Sequence, residues 1–221
     1  MTTPLRAVVV GGGIMGRSIA VALATAGHDV TVVESDATTA ASLPDVVTVS
    51  NRLDDAARAA GLVIEAVPES MAIKTPVWTR LGELCAPTAI LATNTSAFDI
   101  DAFADLVPHP ERVLGTHWFN PASVVPCVEV VRGTATSEDV LASAVAILRE
   151  AGKHPIVVRN SPGFVANRIQ FALVREALLC LQEGLASAED IDAIVSSSFG
   201  PRLAVLGPLA NADLGGLDTY R

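Results

Sequence analysis

Residues 6–16 read RAVVVGGGIMG: an apolar strand runs straight into a glycine turn that opens a helix. The glycines fall at Gly11, Gly13 and Gly16, the G-x-G-x-x-G spacing, and each answers a separate physical need. Gly11 permits the tight turn, Gly13 lets the backbone approach a pyrophosphate, and Gly16 lets the helix pack closely on the strand. The helix start, carrying Ile14 and Met15, then offers unpaired N–H groups and its positive dipole end to the phosphates. Glu34 closes the next apolar run, HDVTVVE. It lies about 20 residues beyond the glycines, where a carboxylate accepts hydrogen bonds from the adenosine ribose hydroxyls. A carboxylate there repels a 2′-phosphate, and the following Ser35 and Asp36 bring no arginine. The cofactor predicted is NAD rather than NADP.

The bulk composition narrows the class. Half of the 221 residues are hydrophobic and 18% are charged, ample for a packed α/β core. The apolar content is dispersed Ala, Val and Leu, and no run approaches the roughly 18 residues of a membrane span. Strand character begins a few residues after Met1, so no signal peptide is expected. Cys85, Cys127 and Cys180 are widely spaced and odd in number, which reads as free thiols in a reducing cytosol. A formal net charge of −9 argues against nucleic acid or an anionic membrane as partner. A soluble cytoplasmic enzyme is the expectation.

Strand signals fall at 7–10, 30–34, 46–50, 62–67, 89–93, 112–116, 128–131 and 156–158. Helix signals lie between them at 15–26, 53–60, 71–85 and 137–151. This alternation predicts an α/β fold, a Rossmann-type doubly wound and mostly parallel sheet. The character changes at Ser161, Pro162 and Gly163. Beyond them, 164–183 reads as one apolar-rich helix, and 187–197 as a second with Ser187 as N-cap and Asp190 three residues on. The expected domains are a dinucleotide-binding unit at 1–161 and an all-helical substrate and dimerisation unit at 162–221. The latter is small for an independent core. Its apolar helix calls for a second subunit, or for further helices past Arg221.

Of the four histidines, His28, His109 and His154 lie in or beside turns and are expected to be inert, His28 in a solvent-facing loop. His117 differs, because it ends the apolar strand in VLGTHWFNP, at the edge where open α/β sheets bind ligands. Glu129, twelve residues on, interrupts the apolar run 124–131. A carboxylate among valines is costly unless paired, and a histidine is a natural partner. Such a pair would fix the imidazole tautomer and raise its basicity, as a general base acting on an alcohol requires. Spacing alone equally allows a packed histidine and an edge-strand glutamate facing water. Ser96, after the strand 89–93, and Asn167, near the start of the apolar helix, are candidate substrate contacts or simple turn and helix-start residues. No His, Cys or acid cluster has metal-ligand spacing, so no metal is expected.

The segments VVVGGGIMGRSIA, IEAVPESMAIK, LATNTS, LGTHWFNP, VEVV, GKHPIVV and SPGFVANR together resemble the L-3-hydroxyacyl-CoA dehydrogenase family, in family order over nearly the whole chain from Arg6. The resemblance implies NAD-dependent oxidation of a 3-hydroxyl, in fatty acid metabolism, by a homodimer joined through the C-terminal helices. His117 then matches the general base, Glu129 its orienting carboxylate, and Ser96 and Asn167 the substrate-contacting pair. Glu69, Lys74, Asn94 and Asn120 match cofactor-side residues.

Two departures stand out. Members acting on acyl-CoA carry a long helical arm after the second strand that helps to hold CoA, whereas only residues 35–44 and a short strand fill that interval here. The stretch from Asn167 onward is similar to the branch that includes L-gulonate 3-dehydrogenase and lambda-crystallin. The leading expectation is an L-3-hydroxyacyl thioester substrate, on CoA or a carrier protein. The alternatives are a free 3-hydroxy acid such as L-gulonate, with Arg168 or Arg202 as counter-ion, and an idle crystallin-like NAD-binding protein.

Overall fold

The computed structural model describes residues 4–216. Its strands are β1 Arg6–Val10, β2 Asp29–Val33, β3 Thr48–Ser50, β4 Leu62–Glu65, β5 Ile90–Thr93, β6 Val113–Trp118, β7 Cys127–Arg132 and β8 His154–Arg159. They form one sheet in the order β3-β2-β1-β4-β5-β6-β7-β8. Every neighbouring pair is parallel except β6 with β7, which run antiparallel. The chain order reverses between β1 and β4, the switch point at which such sheets open a ligand crevice beyond the strands' carboxyl ends.

The helices are α1 Ile14–Thr25, α2 Ala37–Ala41, α3 Leu53–Ala57, α4 Met71–Leu84, α5 Asp101–Ala104 and α6 Glu138–Glu150. They are followed by α7 Ala166–Gln182, α8 Ala188–Ser197, α9 Gly200–Leu203 and α10 Pro208–Gly215. Helices cover both sheet faces, which is why β4 and β5 are unbroken apolar runs that end in a polar residue instead of alternating. On one face Ile19 and Leu23 of α1 and Leu141 and Leu148 of α6 pack on Val9, Val32 and Val130. On the other, Trp78 and Leu81 of α4 and Phe103 of α5 pack on Val8, Val63 and Leu91. Trp78 and Phe103 meet with ring centroids 5.0 Å apart.

Element ends follow local chemistry. Gly27, at φ +92°, stops α1, and His28 N–H reaches back to the Leu23 carbonyl at 3.2 Å. That turn folds His28 back, so it is half-buried rather than solvent-facing, and both of its ring nitrogens are sheltered from water. The buried Arg112 guanidinium donates to the carbonyls of Gly82, Cys85 and Ala86, closing the end of α4.

Two compact units divide between Ala166 and Asn167. Phe164 takes a left-handed φ of 51° and buries its ring in the first unit, so α7 starts at Ala166 instead of 164. In the second unit Ser187 caps α8, accepting from Asp190 N–H at 3.1 Å. Leu173, Ala177 and Cys180 of α7 face Ile191, Ile194 and Phe199 across an apolar groove. Among the described residues no helix is long and apolar enough to cross a membrane.

Candidate active site

The glycine turn has the shape its spacing predicts. Gly11 sits at φ +101°, and a Cβ there would lie 2.7 Å from the Ala66 carbonyl oxygen. A Cβ on Gly16 would lie 1.9 Å from the Gly11 carbonyl, so only glycine lets α1 press against the turn. A Cβ on Gly13 would meet nothing within 4 Å. The first turn of α1 has no side-chain cap and no acid, unlike α2, α6 and α8, each capped by an Asp or Ser side chain. Its N–H groups and dipole therefore face open space beside Gly13, which suits a pyrophosphate. Ile14 is 76% exposed at this helix start and Met15 is half-buried behind it.

Glu34, just past the end of β2, folds over the turn and accepts from Gly12 N–H at 2.7 Å and Asp36 N–H at 2.8 Å. It stands at one side of a pocket of about 330 Å³ lined by Val10, Gly11, Ser35, Asn51, Val67 and Ile73. A carboxylate beside an apolar cleft at the end of β2 fits an adenosine with free ribose hydroxyls. The residues present thus fit a dinucleotide.

His117 and Glu129 face each other in register across β6 and β7. Their side chains are 5% and 4% exposed, and His117 Nδ1 lies 2.7 Å from Glu129 Oε2. Glu129 Oε1 accepts from Val165 N–H at 3.0 Å and Ala166 N–H at 2.9 Å. Burial alone would raise the Glu129 carboxyl, but the His117 bond and the two backbone donors outweigh it and hold the group below its ordinary value. The imidazole is packed against Phe119 and Phe164, with ring centroids at 4.7 and 5.5 Å. A carboxylate accepts the Nδ1 proton, so Nε2 carries the lone pair that can act as a base.

A second polar cluster lies at the ends of β4 and β5. Glu69 accepts from the Thr95 hydroxyl and from Ser96 N–H at 3.0 Å, and pairs with Lys74 Nζ at 3.1 Å. Burial raises the Glu69 carboxyl, and Thr95, Lys74 and Ser96 together bring it below the usual range. Lys74 lies inside the protein, its ammonium held mainly by Glu65 at 2.7 Å. Asn94 Oδ1 accepts from Trp118 N–H at 3.1 Å, tying the end of β5 to the strand that carries His117. Asn120 is exposed on the β6–β7 connection, which Lys153 fixes through the Ala122 and Val125 carbonyls and Ser18 through Ser123 N–H. Asn167 is the first residue of the second unit.

Glu65 was not among the residues singled out from the sequence. Its signal was present, since LVIE ends in an acid as VTVVE does.

Residues 6–45 and 34–161 match the NAD binding domain of 3-hydroxyacyl-CoA dehydrogenase, and residues 163–221 match the C-terminal domain of the same family. The chain belongs to the 3-hydroxyacyl-CoA dehydrogenase family. Its first unit carries that family's NAD-binding domain, and its cofactor is NAD. The chain is 40% identical over 173 residues to a probable 3-hydroxybutyryl-CoA dehydrogenase of Bacillus subtilis, covering 78% of this chain and 59% of that protein. It is 39% identical over 170 residues to the 5-formyl-3-hydroxy-2-methylpyridine 4-carboxylate 5-dehydrogenase of Mesorhizobium japonicum, covering 76% of this chain and 55% of that one. The crystal structure of a 5-dehydrogenase of that pyridine compound, described as an NAD+ dependent dismutase, superposes with TM-score 0.91 at 33% identity, over 98% of this chain and 78% of that one. The 3-hydroxyacyl-CoA dehydrogenase of Archaeoglobus fulgidus gives 0.88 at 32% identity, over 97% and 76%. The chain therefore spans little more than half the length of the two curated relatives. The two matches to the NAD binding domain overlap over 34–45, within the short β2–β3 connection.

Proposed function

We propose that this protein oxidises the hydroxyl of an L-3-hydroxyacyl thioester, carried on CoA or a carrier protein, to the 3-keto product. The buried His117–Glu129 pair at 2.7 Å carries the proposal. His117 Nε2 takes the hydroxyl proton, and Glu129 keeps Nδ1 protonated and stabilises the imidazolium that results. NAD, when bound, would supply the acceptor for the hydride that leaves the carbon bearing that hydroxyl. The packed Phe119 and Phe164 rings hold the imidazole in one orientation and shield it from water. The resemblance supports Ser96 and Asn167 as hydrogen-bond partners of the substrate. Gly11, Gly13, Gly16, Ile14, Met15 and Glu34 would bind the cofactor's phosphates and adenosine. Glu69, Lys74, Asn94 and Asn120 would serve its other half.

The β2–β3 connection favours a second reading. From Glu34 to Val47 it holds no Lys or Arg and three acids, Glu34, Asp36 and Asp45. Nothing there would grip the phosphates of CoA, and the Mesorhizobium relative acts, by its name, on a pyridine carboxylate. A free hydroxy acid, L-gulonate among them, would need no such grip. Parallel assays of NADH formation from L-3-hydroxybutyryl-CoA and from free L-3-hydroxy acids decide between the two. Turnover with neither, while NADH binds, would point to a carrier-protein thioester, and silence with that as well would leave the idle NAD-binding reading.

We also propose a homodimer joined through α7, where Phe171, Val174, Leu178 and Leu181 are exposed. The three cysteines are free, which supports a cytoplasmic setting. Sedimentation at micromolar concentration tests the dimer, and a monomer would refute it.

A further inference from the structure

We infer that Glu65, acting through Lys74 and Glu69, biases the cofactor site toward the oxidised form of NAD. The inference rests on the NAD reading above and deepens it.

Glu65 closes β4 and is wholly buried. It accepts four hydrogen bonds: from Lys74 Nζ at 2.7 Å, the Thr93 hydroxyl at 2.8 Å, Val67 N–H at 2.9 Å and Trp78 Nε1 at 3.1 Å. The Thr93 oxygen in turn accepts from Thr95 N–H at 3.2 Å, so its own proton is committed to Glu65. Both Glu65 oxygens therefore act only as acceptors, as an ionised carboxylate does. Glu69 is in the same position, with Thr95, Ser96 and Lys74 all donating to it. Among the described residues Lys74 is the one ammonium paired with either of them, and it is 1% exposed.

Two carboxylates against one ammonium leave an uncompensated negative charge. Had Lys74 faced Glu69 alone, the pair would be neutral, so Glu65 supplies the odd charge. Its place matters. The adenosine pocket lies by Glu34 at the ends of β1 and β2, on one side of the switch point. A dinucleotide crossing that point has its other half over the ends of β4 and β5, where Glu69 and Ser96 stand. The oxidised nicotinamide ring carries a positive charge that the reduced ring lacks. A buried negative charge distinguishes the two, and poor screening inside the protein strengthens the effect. Glu65 is thus a positioning residue with an electrostatic consequence.

The test is the pair of dissociation constants for NAD+ and NADH, measured on the full chain and on Glu65→Gln and Glu69→Gln. Each variant removes one negative charge. The expected result is that NAD+ weakens about 3- to 10-fold more than NADH in both. General loosening of the site would weaken the two nucleotides alike. Equal changes for NAD+ and NADH in Glu65→Gln would overturn the inference, whatever Glu69→Gln shows. If Glu65→Gln does not fold, Glu65→Gln combined with Lys74→Gln removes the buried pair together: the ratio of NAD+ to NADH affinity should then stay at its wild-type value, and a rise in relative NAD+ affinity would overturn the inference. Failure of the unsubstituted chain to bind either nucleotide would overturn the NAD reading first, and this inference with it.

Discussion

Glu129 sits among valines because His117 lies directly across the ladder from it, and neither side chain is tolerable there without the other. Glu129→Gln keeps the shape but removes the charge that, in the proposed mechanism, stabilises an imidazolium. It should lower kcat by about 10²- to 10⁴-fold, with a much smaller change in KM, in steady-state assays. The same carboxyl ties stability to pH. Its folded value is depressed, so its contribution is fully present above the ordinary Glu value of about 4.3 and is lost as pH falls through the lower folded value. Thermal melts should therefore show wild type and Glu129→Gln converging in stability below about pH 4. A constant gap would assign the stabilisation to packing. Cys85, pushed up to about 11 by burial, should stay unreactive toward thiol reagents at neutral pH until the protein unfolds.

At the scale of elements, the β1–α1 turn separates two uses of glycine. Gly16→Ala drives a Cβ into the Gly11 carbonyl and should cost both stability and cofactor binding. Gly13→Ala meets empty space at an ordinary φ of −63°. It should leave unfolding unchanged or raise stability by up to ~1 kcal/mol, yet weaken NAD about tenfold or more. Loss of stability in Gly13→Ala would mean that this glycine serves the fold rather than the ligand. Arg112→Met strips the buried donors from the end of α4 and should destabilise by about 2–4 kcal/mol in urea unfolding, with an unchanged m-value.

These elements also show what was legible in the sequence. The glycine turn, the acid ending β2 and the Ser187 cap announce themselves, because each is a local device with its residue type fixed by backbone geometry. The His117–Glu129 pairing was only half legible. Spacing could not say whether β7 would run antiparallel beside β6, and that register is what brings the two side chains together. Glu65 escaped because its four donors come from β5, from α4 and from the turn after β4, and no single stretch of sequence displays that convergence. The true start of α7 depended on Phe164 burying its ring in the sheet unit, again a tertiary effect.

At the scale of the whole molecule, the sheet unit carries the glycine cradle and the buried His117–Glu129 pair, while the helical unit presents apolar surface. The chain has the family's NAD-binding domain, and its β2–β3 connection is short and holds no Lys or Arg. Chemistry and substrate choice are therefore separable questions here. The proposed chemistry rests on His117, and the measurement that tests it most directly is NADH formation by the wild type and by His117→Ala, each given NAD+ with L-3-hydroxybutyryl-CoA and with free L-3-hydroxy acids. The account predicts turnover of one substrate class by the wild type and its abolition in His117→Ala, with NADH binding retained. Equal turnover by the two proteins would contradict it.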